Sequence, residues 1–218
     1  MRTEGRALRR GRGAPDRLEV DRSQRERLIF GVADAVAREG YAATTIDQIA
    51  QAAGVSKKTF YKFFDSKEQA FLASYGLMEA VLPYVVDGAE DQASDAQAMV
   101  EGLVARYLRS LAAAPALAQM LIIEAIAATP ETMRARAAII RLFAAGIRRA
   151  IDLAREYDPS IDEISDVEVI ALLGGLNELC VCYVSDAGDF TSIETVHADA
   201  VKFMTRFLGI EANSAVKH

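Results

Sequence analysis

The 218-residue chain has no tryptophan, two cysteines, two histidines and five prolines. Each shortage removes a class of explanation. Cys180 and Cys182 are one residue apart, and in a helical stretch their side chains point about 200° from each other, so they cannot join. No disulfide framework or zinc spacing is left, which suits a reducing cytoplasm. His197 and His218 stand alone, so no metal and no cofactor is expected. No Ser/His/Asp set, phosphate loop or usefully spaced carboxylate pair stands out, so no catalytic residue and no enzyme are expected. The arginine-rich start lacks the apolar segment of a secretory signal. The most apolar runs, near 116–128 and 169–184, are interrupted by Glu124 and by Asn177 and Glu178. They read as buried bundle helices rather than membrane spans. All five prolines fall where loops or helix ends would tolerate them.

Alanine and leucine are abundant, half the residues are apolar, and no strand-like alternation or internal repeat occurs. The expected fold class is therefore all-α. The net charge of −6 argues against a nucleic-acid partner, but its distribution argues for one. Residues 1–70 carry 14 Lys/Arg against 10 Asp/Glu, whereas the remainder carries 11 against 21. A basic element attached to an acidic body is the pattern of a protein that meets a polyanion at one end.

Four segments are expected: a disordered basic arm over 1–20, a small helical domain over 21–66, a helical body over 67–210 and a tail over 211–218. The arm carries Arg2, Arg6, Arg9, Arg10 and Arg12 among glycines. It can be read as a minor-groove arm or as a solvated tail. A first helix is expected from Arg22 to Glu39, with Ile29, Val32, Ala33 and Val36 on one face and Gly40 as its stop. Further helices are expected over about 67–86, 94–113, 116–128, 131–156, 163–186 and 191–208, about nine in all.

Between the first two long helices lies the most informative stretch. Thr45 and Gln48 have capping-box spacing, and Ile46, Ile49, Ala50 and Ala53 form a short buried stripe. Gly54 permits a tight reversal, Val55 can plug the corner, and Ser56 can cap the next helix. On that helix the ~100° step per residue turns Phe60 and Phe64 inward together, while Lys58, Tyr61 and Lys62 share the outer face. A short helix with a cationic, hydrogen-bonding face suits the major groove.

The run Gly40-Tyr41-Ala42-Ala43-Thr44-Thr45-Ile46-Asp47-Gln48-Ile49-Ala50, followed by Ala53-Gly54-Val55-Ser56, Thr59, Tyr61, Phe64 and Lys67-Glu68, resembles the DNA-binding signature of the TetR (tetracycline-repressor-like) family. The resemblance implies an N-terminal three-helix helix-turn-helix domain followed by a ligand-binding and dimerisation bundle. By position it implies that Thr45 and Tyr61 touch phosphates and that Lys67 holds the DNA backbone from the flank. Ser56, Lys57, Lys58, Thr59 and Lys62 would lie at bases or nearby phosphates.

The body carries the remaining expectations. The two most apolar helices come last, and a two-fold dimer would bury both, with Leu172, Gly175, Leu176, Leu179, Val196, His197, Ala200, Val201 and Met204 at the interface. The resemblance implies the same four-helix interface, and two-fold symmetry suits a pseudo-palindromic operator on double-stranded DNA. It also implies a small-molecule inducer inside the body, for which Tyr75, Met78, Tyr107, Met120, Glu124, Phe143, Asn177 and Tyr183 are candidates. Glu124 stands out because an acid among apolar neighbours is costly to bury unless paired; an orientation toward solvent stays open. The expected function is a cytoplasmic bacterial transcriptional regulator, a repressor released from DNA by its inducer. The rivals are a helical small-molecule-binding protein without a DNA role and an enzyme on a helical scaffold.

Overall fold

The computed structural model describes residues 17–86, 95–157, 159 and 161–210. The arm expected over 1–20 lies outside them except for its last four residues, which are helical. The tail over 211–218 lies outside them entirely. Among the described residues the fold is all-helical, as the composition predicts. The helices are α1 (Arg17–Ala43), α2 (Ile46–Ala52), α3 (Lys57–Phe63), α4 (Lys67–Val86) and α5 (Ala96–Ala113). They continue as α6 (Pro115–Ala128), α7 (Pro130–Tyr157), α8 (Asp166–Ala187) and α9 (His197–Phe207), the last preceded by a 3₁₀ turn over Ile193–Val196.

Several element ends are chemical. Pro115 and Pro130 open α6 and α7, where a missing N–H costs nothing. Ser165 and Glu168 form a capping box at the start of α8, and Gly188, with φ 93°, ends it in the left-handed conformation. Three expectations change. Gly40 does not stop α1 but kinks it, with φ 75° and ψ 156°, and the helix resumes to Ala43. Helix α6 is not uniformly α, because Gln119–Glu124 is wound as a π-helix. Pro83 lies inside α4 rather than at a loop. It is tolerated because it is exposed and falls in the last turn, so the hydrogen bond it removes is one of the last of the helix.

Two cores are formed, and they do not divide at residue 66. The head core combines Leu28, Ile29, Val32 and Val36 of α1 with Ile49, Phe60 and Phe64. It also takes Phe71 and Tyr75 from α4 and Leu117, Met120 and Leu121 from α6. The body core holds the rest of α4 with α5 and the inner faces of α7, α8 and α9. By length and composition α4 and α8 are apolar enough to cross a membrane, which revises the expectation that Asn177 and Glu178 make α8 too polar. Here both pack in the bundle, α4 against α7 and α8 against α7 and α9.

Candidate nucleic-acid interface and cavity

The helix-turn-helix is held by its own backbone chemistry. Thr45 caps α2, accepting the Gln48 N–H at 3.3 Å, while Gln48 Oε1 accepts the Thr45 N–H at 2.8 Å. In the turn Gly54 has φ 61°, and the Val55 N–H donates to the Ala50 carbonyl at 2.9 Å. Arg27 of α1 closes the corner, its guanidinium donating to the Ala53 oxygen at 2.6 and 2.9 Å and to the Gly54 oxygen at 2.5 Å. Ser56 caps α3 by accepting the Thr59 N–H at 3.1 Å. Neither Arg27 nor Gly31 was singled out from the sequence. A Cβ on Gly31 would stand 2.8 Å from Ala53 N and 2.9 Å from the Ile49 oxygen, so α1 and α2 touch backbone to backbone.

Phe60 and Phe64 are buried, and Ser56, Lys57, Lys58, Tyr61 and Lys62 are exposed. Thr59 is half-buried and Thr45 is exposed at the start of α2. The cations differ in company. Lys57 pairs with Asp47 at 2.8 Å, and that hydrogen bond and the Asp47 charge raise its pKa. Lys62 pairs with Asp21 of α1 and sits 5.0 Å from the Phe63 ring centroid. Lys58 has no partner among the described residues. Lys67 is turned inward: its ammonium donates to the Tyr41 and Thr44 oxygens at 2.6 and 2.8 Å and lies 4.3 Å over the Tyr41 ring. Burial lowers its pKa. In this structure Lys67 braces the α1 kink rather than presenting its charge at the flank.

In the body a cavity of about 60 Å³ opens where the two cores meet. Of the eight residues expected there, Tyr75, Met78, Tyr107, Phe143 and Asn177 line it, and Met120, Glu124 and Tyr183 do not. Met120 is wholly buried in the head core and Tyr183 packs on the body core. Glu124, at the end of the π-helical stretch, reaches across to α1, where its Oε2 accepts the Tyr41 N–H at 3.0 Å. The kink at Gly40 frees that N–H, and a carboxylate from the body takes it up. Arg136 and Ser110 line the cavity unanticipated. Arg136 could have been found from its position three residues before Ile139 and seven before Phe143, on the inward stripe of α7. Tyr107 donates its hydroxyl to Asn177 Oδ1, and burial raises the pKa of both Tyr107 and Tyr75.

The expected interface residues need a correction. Leu172, Leu176, Ala200, Val201 and Met204 are buried in the subunit's own core and have no surface for a second copy. A helix satisfies its strongest apolar stripe within the subunit first. Gly175 lies beneath Phe203, His197 is half-buried with Nε2 3.1 Å from the Glu101 oxygen, and Leu179 and Val196 are half-buried. The outward face of α8 is instead Val167, Ala171, Gly174, Glu178 and Cys182, and that of α9 includes Lys202, Arg206 and Phe207. Cys180 is buried, its thiol pushed up to about 12.

Residues 33–73 match the family model described as bacterial regulatory proteins, tetR family. No curated protein sequence matches the chain. Among solved structures, the fatty acid degradation regulator FadR from Bacillus halodurans superposes with a TM-score of 0.72 at 18% identity, covering 89% of this chain and 97% of that one. FadR from Bacillus subtilis, solved with stearoyl-CoA, gives 0.70 at 14% identity over 86% and 99%. A TetR-family regulator from Bordetella parapertussis gives 0.59 at 22% identity over 84% and 93%. These likenesses, each under 25% identical, establish the fold over 84–89% of the chain, and the family model matches the head. The head thus matches the tetR-family model in sequence over residues 33–73, and the chain shares its architecture with these solved regulators.

Proposed function

We propose that this DNA-binding regulator is a cytoplasmic bacterial repressor that binds a pseudo-palindromic operator as a homodimer and acts by binding rather than catalysis. The observation that carries the DNA contact is the outer face of α3, where Lys58 and Tyr61 are exposed beside Lys57 and Lys62. Lys58, Thr59 and Lys62 would meet bases or nearby phosphates, with Thr45, Ser56, Lys57 and Tyr61 fixing register on the backbone. Lys67 would act at one remove, by bracing the α1 kink. The outward faces of α8 and α9 would meet their two-fold copies, spacing two α3 helices for adjacent half-sites.

The cavity would hold the inducer. Its wall takes Tyr75, Leu117 and Leu121 from the head core and Leu111, Phe143 and Leu173 from the body core. A molecule wedged between them shifts α6, and Glu124 of α6 holds Tyr41 of α1. Occupancy would then favour a head position in which the recognition helices no longer match the two grooves. A gel shift with fragments flanking the protein's own gene, at low salt and without added ligand, tests the reading. A discrete retarded complex is expected, and failure to retard any fragment leaves only a ligand-binding role. Light scattering should give twice the chain mass, and a monomer at micromolar concentration would remove the dimer.

A further inference from the structure

We infer that the cavity takes an elongated amphipathic ligand, an apolar chain ending in an anionic head; this rests on its being the effector site. Three observations converge on that chemistry. First, no aspartate or glutamate lines the cavity, but Arg136 does. Arg136 has no hydrogen bond or ion pair among the described residues, and its charge acts on the phenols of both Tyr75 and Tyr107, against the effect of burial. A half-buried guanidinium without an acid is a vacancy for anionic oxygens, which it can meet with two parallel N–H donors. Second, Tyr107 occupies the carbonyl oxygen of Asn177, which leaves the two amide N–H groups of Asn177 without a partner. Arg136 and the Asn177 amide therefore present donors to the cavity, beside the hydroxyl oxygens of Tyr75 and Ser110, whose protons go to the Thr132 and Tyr107 carbonyls.

Third, an apolar space adjoins the cavity. A smaller cavity of about 20 Å³ lies behind Tyr107, Phe143 and Leu173, which line both spaces. It is completed by aliphatic side chains, among them Val104, Leu176 and Met204. Both volumes are small against the several hundred Å³ that ligand sites usually offer. A chain would therefore enter by turning Phe143 aside and joining the two spaces, with Tyr107 held on Asn177, while Met78 adapts. Head at Arg136 and tail toward Leu176 gives the anionic end its cation and the chain an apolar wall. The anionic oxygens can be those of a free carboxylate or of a phosphate-bearing thioester, since Arg136 is partly open to solvent.

Calorimetry on the full chain, below micelle concentrations, separates these possibilities. The probes are dodecanoate, dodecanoyl-CoA, methyl dodecanoate and dodecylammonium. At least one of the two anions should bind tenfold or more tighter than the ester and the ammonium, and which anion it is identifies the source. Arg136→Met should lower anion affinity at least tenfold and leave ester affinity unchanged, with Arg136→Lys between. Val104→Leu should cost dodecanoate more than octanoate. The inference fails if neither anion binds, if ester or ammonium matches them, or if Arg136→Met leaves the ratio as it was; the wild-type ratio decides even where that variant does not fold. Operator binding in the same samples keeps the two readings apart. An anion that binds without changing operator affinity upholds the ligand class and overturns the effector reading. Operator release by ester or ammonium alone overturns the ligand class and keeps the effector reading.

Discussion

On the recognition face, Lys57 and Lys62 are each tied to an aspartate at the surface, whereas in the body Arg136 lines an apolar cavity with no acid beside it. The two arrangements have opposite energetics. A surface ion pair contributes little, so Asp47 and the half-buried Asp21 can give way to phosphates at small cost. A half-buried cation has lost hydration without gaining a partner, so an anion that reaches it gains the full charge-assisted hydrogen bond. The head holds its cations in reserve against competition, and the body holds one in want of a ligand. Both sites would meet a negatively charged partner, but only the outer one can be read from exposed charge.

The comparison breaks first if the head is not a rigid platform, and Gly31 tests that with the largest effect. Gly31→Ala drives a methyl against the Ala53 nitrogen and the Ile49 oxygen, and backbone atoms on two packed helices cannot swing away. Overpacking of this kind costs about 1–3 kcal/mol, expected here at the upper end. Thermal melts should show a clear fall in Tm, with DNA affinity lost and ligand binding in the body retained. Gly174→Ala is the control, because nothing lies within 4 Å of its Cβ position and alanine is the better helix former. Equal Tm values for the two variants would contradict the close approach of α1 and α2.

How much of this was legible in the sequence depends on the kind of signal. The capping box at Thr45, the positive φ at Gly54 and the inward pair Phe60 and Phe64 were all readable, because each is set by residues within one turn of each other. Gly31 and Arg27 were not, and of Glu124 only the need for a partner was, since each acts on a residue far along the chain: Arg27 on Ala53, Glu124 on Tyr41. The resemblance implied a site inside the body, and Tyr75, Met78, Tyr107, Phe143 and Asn177 line a cavity there, whereas Met120, Glu124 and Tyr183, named with them, do not. Residue type marks a side chain as buried without telling which of two cores takes it. The same holds for the residues expected at the interface, of which Leu172, Leu176, Ala200, Val201 and Met204 are taken up by the subunit's own core. The apolar stripe of α9 was visible, but not that the subunit's own α5 would cover it.

A second test sharpens the head's side of the comparison. Lys58 has no acid to release, so its loss is a loss of contact alone. Lys58→Ala should weaken operator binding about tenfold, an effect of about 1–3 kcal/mol if it reads a base. Fluorescence anisotropy across a salt series distinguishes the roles. A phosphate contact makes the log-affinity slope shallower by about one unit, and a base contact leaves the slope but relaxes sequence preference. Unchanged affinity would remove α3 from the groove.

The link between the regions is weaker still. Glu124→Gln keeps an acceptor for the Tyr41 N–H but removes its charge, which should cost about 0.5–1 kcal/mol in urea unfolding. Its more telling effect is on coupling, because operator affinity should persist while the response to the cavity ligand shrinks. Glu124→Ala should reduce the response further. If both variants respond like the wild type, the signal passes through the packing of Leu117 and Leu121 alone.

The smallest effect is the most direct test of the difference between the regions. If Asp21 only holds Lys62 in reserve, Asp21→Asn should strengthen operator binding a few-fold rather than weaken it. The substitution removes a negative charge next to the DNA and releases the ammonium without touching the face itself. It should move the Tm little, as Lys62 is exposed and Asp21 only half-buried. Because the released lysine can then meet a phosphate undivided, the salt dependence should steepen as the affinity rises. Weaker binding with an unchanged Tm would mean that Asp21 positions Lys62 for a base. The pair would then be part of the reading surface, and the contrast with the unpaired Arg136 would be one of geometry rather than of competition.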